Sequence, residues 1–211
     1  MEDHNEELRE VEIFTEEAFR FPHVTLDEVD FDVLRRRELA GYIIDGNELL
    51  SPLMERLSLM RGAFTSLMGS RKNMLFDLRN LFPDTESPVA MISQRGNFSG
   101  AVRSTKVQHA LVACSEGFSL RNHTDTIPYD DDFYPNLGYG MVMCLQPAAS
   151  GGASVVYNRC DYFPDDEARQ TTLTFRHTLQ GGEILLFPDF LLHELLEIRE
   201  GVRMVMLGQF R

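Results

Sequence analysis

His123-Thr124-Asp125 sets an imidazole and a carboxylate two positions apart at the end of the β-type run "FSLRNHTD". On an extended strand, residues so spaced share a face. Both could therefore offer donors to one divalent ion. Taken alone, the pair reads more readily as a surface pair closing a turn, since a three-residue pattern needs structural context. A third donor could come from His177 or His193. His193 lies in the run "LLHELLEI", and Arg203 stands ten residues on, in "VRMVMLGQF"; ten places after His177 stands Phe187. If Arg199-Glu200-Gly201 forms a three-residue loop with a left-handed Gly201, Ile198 faces Val202, Glu197 faces Arg203 and His193 faces Leu207. His193 and Arg203 would then share a face, with room between them for a small dicarboxylate. On that reckoning His193 is the better third ligand, and a plain ion pair between Arg203 and Glu197 is the alternative.

The elements that must hold these residues are short. From about residue 106 the chain reads as eight β-type runs: "KVQHALVAC", "FSLRNHTD", "GYGMVMCLQP", "GGASVVYN", "TTLTFRHTLQ", "GEILLFP", "LLHELLEI" and "VRMVMLGQF". Turn residues separate them, Ser-Gly-Gly and Pro-Asp-Phe among them. This spacing predicts a sandwich or barrel rather than alternating βα units. The first 90 residues read mainly as helix. "SPLMERLSLMRGAFTSLM" steps Leu53, Leu57, Met60 and Phe64 along one face, with Ser51-Pro52 as cap and first turn. A second helix is expected over "RKNMLFDLRNLF", ending before Pro83, and "AGYIIDGNEL" reads as a strand and turn. The expected organisation is a single domain, 1–211, with a helical and strand support region over 1–105 and a β core over 106–211.

Two histidines and one carboxylate leave three positions open at an iron, the arrangement of non-haem Fe(II) oxygenases. Two open positions suit a chelating 2-oxo acid and the third suits O2. Arg203 offers a planar fork for a distal carboxylate. The sequence resembles the Fe(II)- and 2-oxoglutarate-dependent dioxygenases, within them the prolyl-4-hydroxylase-like group, on "HTD", "LQPAASGGASVVYN" and "GGEILLFPDFLLHELLEIREGVRMVMLGQF". The resemblance spans residues 106–210. It implies a double-stranded β-helix (jelly roll), mainly β with flanking helices and an N-terminal helical region before it. It implies Fe(II) on His123, Asp125 and His193, with Arg203 on the C5 carboxylate of 2-oxoglutarate. The activity implied couples decarboxylation of 2-oxoglutarate to hydroxylation or desaturation of a C–H bond. Asp125 stands where halogenating relatives lack a carboxylate. Relatives often carry tyrosines in the first and third strands near the cosubstrate; Ser115 and Cys144 stand there instead, and Tyr139 or His109 is expected to substitute. Two alternatives remain, a cupin-like isomerase or hydrolase without cosubstrate and a non-catalytic jelly-roll binding protein.

Other residues draw plainer readings. "YDDDFY" (129–134) is a solvated loop or a substrate-gating lid. Arg95, Arg103 and Arg121 are surface charge or contacts for an acidic substrate group. His177 and His109 read as strand residues, and His4 and His23 as surface histidines. Met141, Met143, Met204 and Met206 read as packing in the barrel wall, and Cys114 and Cys144 as buried strand residues rather than nucleophiles. A net charge of −13 argues against phosphate-backbone partners, so a small-molecule or amino-acid-like substrate is expected. Three cysteines without zinc-like spacing and an acidic N-terminus fit a reducing, cytoplasmic setting with no membrane.

Overall fold

The computed structural model describes residues 13–58, 73–77, 88–98, 110–125 and 138–210. Strand β1 (His23–Thr25) leads to helix α1 (Phe31–Arg35), strand β2 (Tyr42–Asp45), helix α2 (Asn47–Ser58), strand β3 (Asn73–Asp77) and helix α3 (Pro88–Arg95). Next come β4 (Ala110–Ser115), β5 (Leu120–His123), β6 (Tyr139–Gln146), β7 (Ser150–Gly151) and β8 (Ser154–Tyr157). Helix α4 (Asp166–Thr171) is followed by β9 (Thr174–His177), β10 (Glu183–Pro188), β11 (His193–Leu195), β12 (Ile198–Glu200) and β13 (Val202–Phe210). All eight expected runs contain strands.

Seven strands form one sheet in the order β1-β2-β10-β6-β13-β4-β3, and four form a second in the order β5-β11-β8-β9. Counting core strands from β4, with β7 and β8 together as the fourth and β11 and β12 together as the seventh, the large sheet interleaves sixth, third, eighth and first. The small sheet interleaves second, seventh, fourth and fifth. This alternation between two sheets is a jelly roll.

Strand β6 shows how the large sheet is held. Tyr139, Met141 and Met143 point to the helical side, where they meet Phe31, Leu34, Leu53, Ile92 and Phe210. Cys144 points inward, into a cluster with Phe187 and Val156. A one-residue slip would exchange these two sets, so the apolar pattern pins the register. The four strand methionines are wall packing, as expected, on the face that meets the helices. A segment before β1 fills the interior. Phe14 and Phe21 join the inner cluster, and Phe21 stacks on Phe175 with ring centroids 4.1 Å apart. Buried Asn158 fixes this segment: the Phe14 amide donates to Asn158 Oδ1 (3.0 Å), and Asn158 Nδ2 donates to the Phe14 carbonyl (2.7 Å).

Several expectations change. The described part of the first 105 residues is mixed rather than mainly helical, because β1, β2 and β3 extend the large sheet. The second expected helix contains β3, which pairs antiparallel with β4 from Asn73↔Cys114 to Asp77↔Ala110. Pairing at a sheet edge overrides the modest helix preference of its Met and Leu. Helix α2 begins before Ser51, with Asp45 Oδ1 accepting from the Asn47 amide at 3.0 Å, so Pro52 sits inside the helix. Leu49, Leu53 and Leu57 form its buried face; Met60 and Phe64 lie outside the described residues. The polar loop after β8 contains α4, capped by Asp165, whose side chain accepts from the Ala168 amide at 2.7 Å. No helix among the described residues is long and apolar enough to cross a membrane.

The expected hairpin between "LLHELLEI" and "VRMVMLGQF" does not form. Gly201 is left-handed (φ +85), but the turn hands the chain from one sheet to the other. Strand β11 pairs with β5 and β8, β12 pairs with β7, and β13 lies between β4 and β6. Arg203 stands opposite Cys114 rather than Glu197, and Leu207 opposite Ala110 and Val142 rather than His193.

Gly151 tests the turn chemistry of this region. Its φ is +79, and a Cβ there would lie 2.3 Å from the Glu197 carbonyl. Gly151→Ala should cost about 2 kcal/mol or more in urea unfolding, from left-handed strain plus a clash with backbone. An unchanged midpoint would show that this turn is free to relax.

Candidate metal centre

His123 ends β5 and His193 begins β11, and the two stand directly opposite each other in the antiparallel pair. Directly opposed residues share a face, and their ring centroids are 4.3 Å apart. Asp125 follows two residues after His123. Its amide donates to the Asp189 carbonyl (3.0 Å), so the turn leading into β11 also fixes the carboxylate's backbone. Gly140 on β6 gives the carboxylate room, for a Cβ there would lie 3.5 Å from Asp125 Oδ2 and 3.3 Å from the Phe187 ring.

Both imidazoles are oriented in the same way. His123 Nδ1–H donates to the Arg121 carbonyl and His193 Nδ1–H to the Leu191 carbonyl, each at 2.9 Å. These bonds fix the tautomer and leave each Nε2 with a lone pair. The two Nε2 atoms lie 3.7 Å and 3.8 Å from the same atom, Asp125 Oδ1. That is too long for a hydrogen bond. Two donors each about 2.1 Å from a shared ion stand roughly 3 to 4 Å apart, so the gap fits one ion. One ligand atom from each residue lies within 4.8 Å of the others. The edge of Phe187 covers His193 at 4.8 Å between centroids. Burial holds the His193 imidazole below its ordinary value; His123 adds to the effect and Asp125 opposes it. A neutral imidazole is the form that binds a metal. Two nitrogens and a carboxylate on one side of an ion suit iron(II).

Arg203 enters the interior from the opposite sheet. It is 5% exposed, and its Nη2 donates to Ser154 Oγ on β8 at 3.1 Å. Its stem runs beside Gly152, where a Cβ would sit 3.4 Å from Arg203 Cδ. Ser154 and Val156 share a face, and Val156 stands opposite His193. One such step along a strand is about 7 Å, so the anchoring hydroxyl lies one step along the inner face from the His193 position. Cys114 and Cys144 flank the guanidinium; burial pushes both thiols up to about 11, which makes them poor nucleophiles. No carboxylate is among the groups shifting Arg203 among the described residues; burial lowers its pKa and the two thiols oppose that.

The structure thus joins His123, Asp125 and His193, and sets Arg203 within the same barrel. It does not bring Tyr139 to the site. That ring is on the helical face of β6 against Phe31 and Phe98, and burial pushes its hydroxyl up to about 12. Gly140, one residue on, takes the inward position. His109, His4, Arg103 and the 129–134 loop lie outside the described residues. His177 pairs with Glu183 (Nε2–Oε2 2.8 Å), and its ring meets that of His23. Arg95 binds Glu48 and Asp27, away from the triad. Arg121 is exposed and offers His123 only its carbonyl. Ser154 and Gly140 were not singled out from sequence. Inward parity along "GGASVVYN" could have found Ser154, whereas Gly140 has no such signal.

No protein-family model matches the chain, and no curated protein does. Solved structures do. A Pseudomonas putida prolyl-4-hydroxylase matches with 16% identity and a TM-score of 0.46, over 78% of this chain and 86% of its own. AviO1 from Streptomyces viridochromogenes Tue57 matches with 13% identity and a TM-score of 0.46, over 77% and 84%. A Burkholderia pseudomallei oxidoreductase of the 2OG-Fe(II) oxygenase family matches with 14% identity and a TM-score of 0.40. That match covers 60% of this chain and about half (52%) of the Burkholderia protein.

The lowered His193 pKa sets a pH dependence. The unfolded chain takes up this proton at the ordinary value of 6.5, before the folded protein does. Metal-free protein should therefore hold its full stability above 6.5 and lose it as pH falls below, and His193→Gln should flatten that slope in urea unfolding. An equal slope in both proteins would remove His193 as its source.

Proposed function

We propose that this chain is an Fe(II)- and 2-oxoglutarate-dependent oxygenase acting on a C–H bond of a small-molecule or amino-acid-like substrate. The observation that carries the reading is one oxygen, Asp125 Oδ1, facing the Nε2 atoms of His123 and His193 at 3.7 and 3.8 Å. Iron(II) held there, with 2-oxoglutarate and O2, supplies the oxidising chemistry that yields succinate, CO2 and a hydroxylated or desaturated product.

The chain's own residues do the positioning. The carbonyls of Arg121 and Leu191 hold each imidazole with Nε2 inward. Arg203 presents a permanent charge inside the barrel, and a distal carboxylate is the partner its fork fits. Ser154, already bound to Nη2, stands where its hydroxyl can serve the same carboxylate. Phe187 shields His193 from water on one side. A cosubstrate-free isomerase or hydrolase, or a binding protein that merely keeps the triad, gives the buried Arg203 no comparable task.

Anaerobic addition of Fe(II) and 2-oxoglutarate should produce a visible metal-to-ligand charge-transfer band. His123→Ala should abolish it. Arg203→Ala should weaken 2-oxoglutarate binding by roughly 10- to 100-fold while sparing the metal, the scale of a lost hydrogen bond to a charged group. Ser154→Ala should weaken it by roughly 2- to 10-fold. A band indifferent to the first two changes would refute the assignment, and succinate release in a metabolite screen would identify the substrate.

A further inference from the structure

We infer that Glu194, Tyr157 and Arg169 form an outer clasp that positions the iron ligand His193. This inference rests on the proposed metal centre. Strand β11 has only three residues, and its pairing with β5 slips between His193 and Leu195. Its pairing with β8 is regular over all three residues, from His193↔Val156 to Leu195↔Ser154, so the β8 side is the strand's firmer support. The residue next to His193 reinforces that side from the outer face. Glu194 points to the outer face of the small sheet and is 10% exposed. Its Oε1 accepts from the Tyr157 hydroxyl and from Arg169 Nη2, the latter at 2.8 Å. Arg169 also donates to the Tyr157 hydroxyl (3.1 Å) and lies over the Phe163 ring at 5.5 Å. Tyr157 belongs to β8, Glu194 to β11 and Arg169 to α4.

Three elements are therefore tied together by charge-assisted bonds directly behind His193. A carboxylate accepting two donors in a largely buried setting is strongly held, and with it the backbone that carries the imidazole. Partners hydrogen-bonded to a metal ligand itself typically govern metal affinity by roughly 10- to 100-fold, and the clasp, which acts on His193 through its backbone, is expected at the lower end of that range. The clasp touches neither metal nor substrate, so its members are positioning residues.

The test is anaerobic Co(II) titration of the metal-free 211-residue chain, followed by its visible d–d absorption. Circular dichroism and thermal melting report folding. Glu194→Gln and Arg169→Ala should each weaken Co(II) binding about 10-fold or more, and Arg169→Lys should recover part of the loss. Arg159→Ala is the control. Arg159 lies over Phe163 on the same outer face but pairs with Asp161, so its loss should leave Co(II) affinity unchanged. Wild-type affinity in folded Glu194→Gln and Arg169→Ala proteins would overturn the clasp. Equal losses in Arg159→Ala and Glu194→Gln would also overturn it, since general loosening of the outer face would then explain both. Should Glu194→Gln fail to fold, the half-exposed Arg169 carries the test alone. Folded wild-type protein that takes up no Co(II) would sink the metal centre itself, a separate outcome.

Discussion

Two imidazoles aimed at one carboxylate oxygen form the constraint on which the rest of the molecule depends. His123 and His193 meet because β5 and β11 run antiparallel with these residues in register. Each ring is turned by the carbonyl two positions before it, so the same local device acts twice. Asp125 completes the set because the Pro188-Asp189-Phe190 turn holds its amide. The large sheet, the helices beneath it and the aromatic segment before β1 give this turn and these strands a rigid frame. A metal site gains from such a frame, since donors already in place lose little freedom on binding.

Arg203 adds a second constraint, of charge rather than geometry. A guanidinium cannot shed its proton in a protein; among the described residues this one meets the Ser154 hydroxyl and the Cys114 and Cys144 thiols, and burying such a charge without a counter-ion costs on the order of several kcal/mol. Natural proteins seldom tolerate that without a compensating ligand. An anionic group bound in the barrel would relieve that cost. The proposed function gives the metal donors and the buried charge one shared task.

Much of this was legible in the sequence, for identifiable reasons. The eight runs of the core could be read because β-type stretches stand out between Gly- and Pro-marked turns; β8 and β10 are nearly buried throughout, whereas β5 and β9 are partly exposed. The three donors could be picked out from the His-x-Asp pair and from His193 opening another strand, although Asp125 lies just past the end of β5 rather than on it. The route to Arg203 was misread. Its inward orientation was correct, but the supposed hairpin partner of β11 belongs to the other sheet, a long-range pairing that loop length cannot reveal. Tyr139 was misplaced by one residue of alternation, which turns a side chain from the barrel to the helices. Strand β3 was read as helix because its partner β4 lies over thirty residues away. Glu194, Tyr157 and Arg169 come together only in three dimensions, and nothing in their spacing announces it.

A Mn(II)-soaked crystal gives the most direct test of the shared ion. An anomalous difference map should show one peak bounded by His123 Nε2, His193 Nε2 and an oxygen of Asp125, with Arg203 in the same cavity. A peak elsewhere, or an ion reached through Nδ1 by rings turned away from Arg121 and Leu191, would contradict the account.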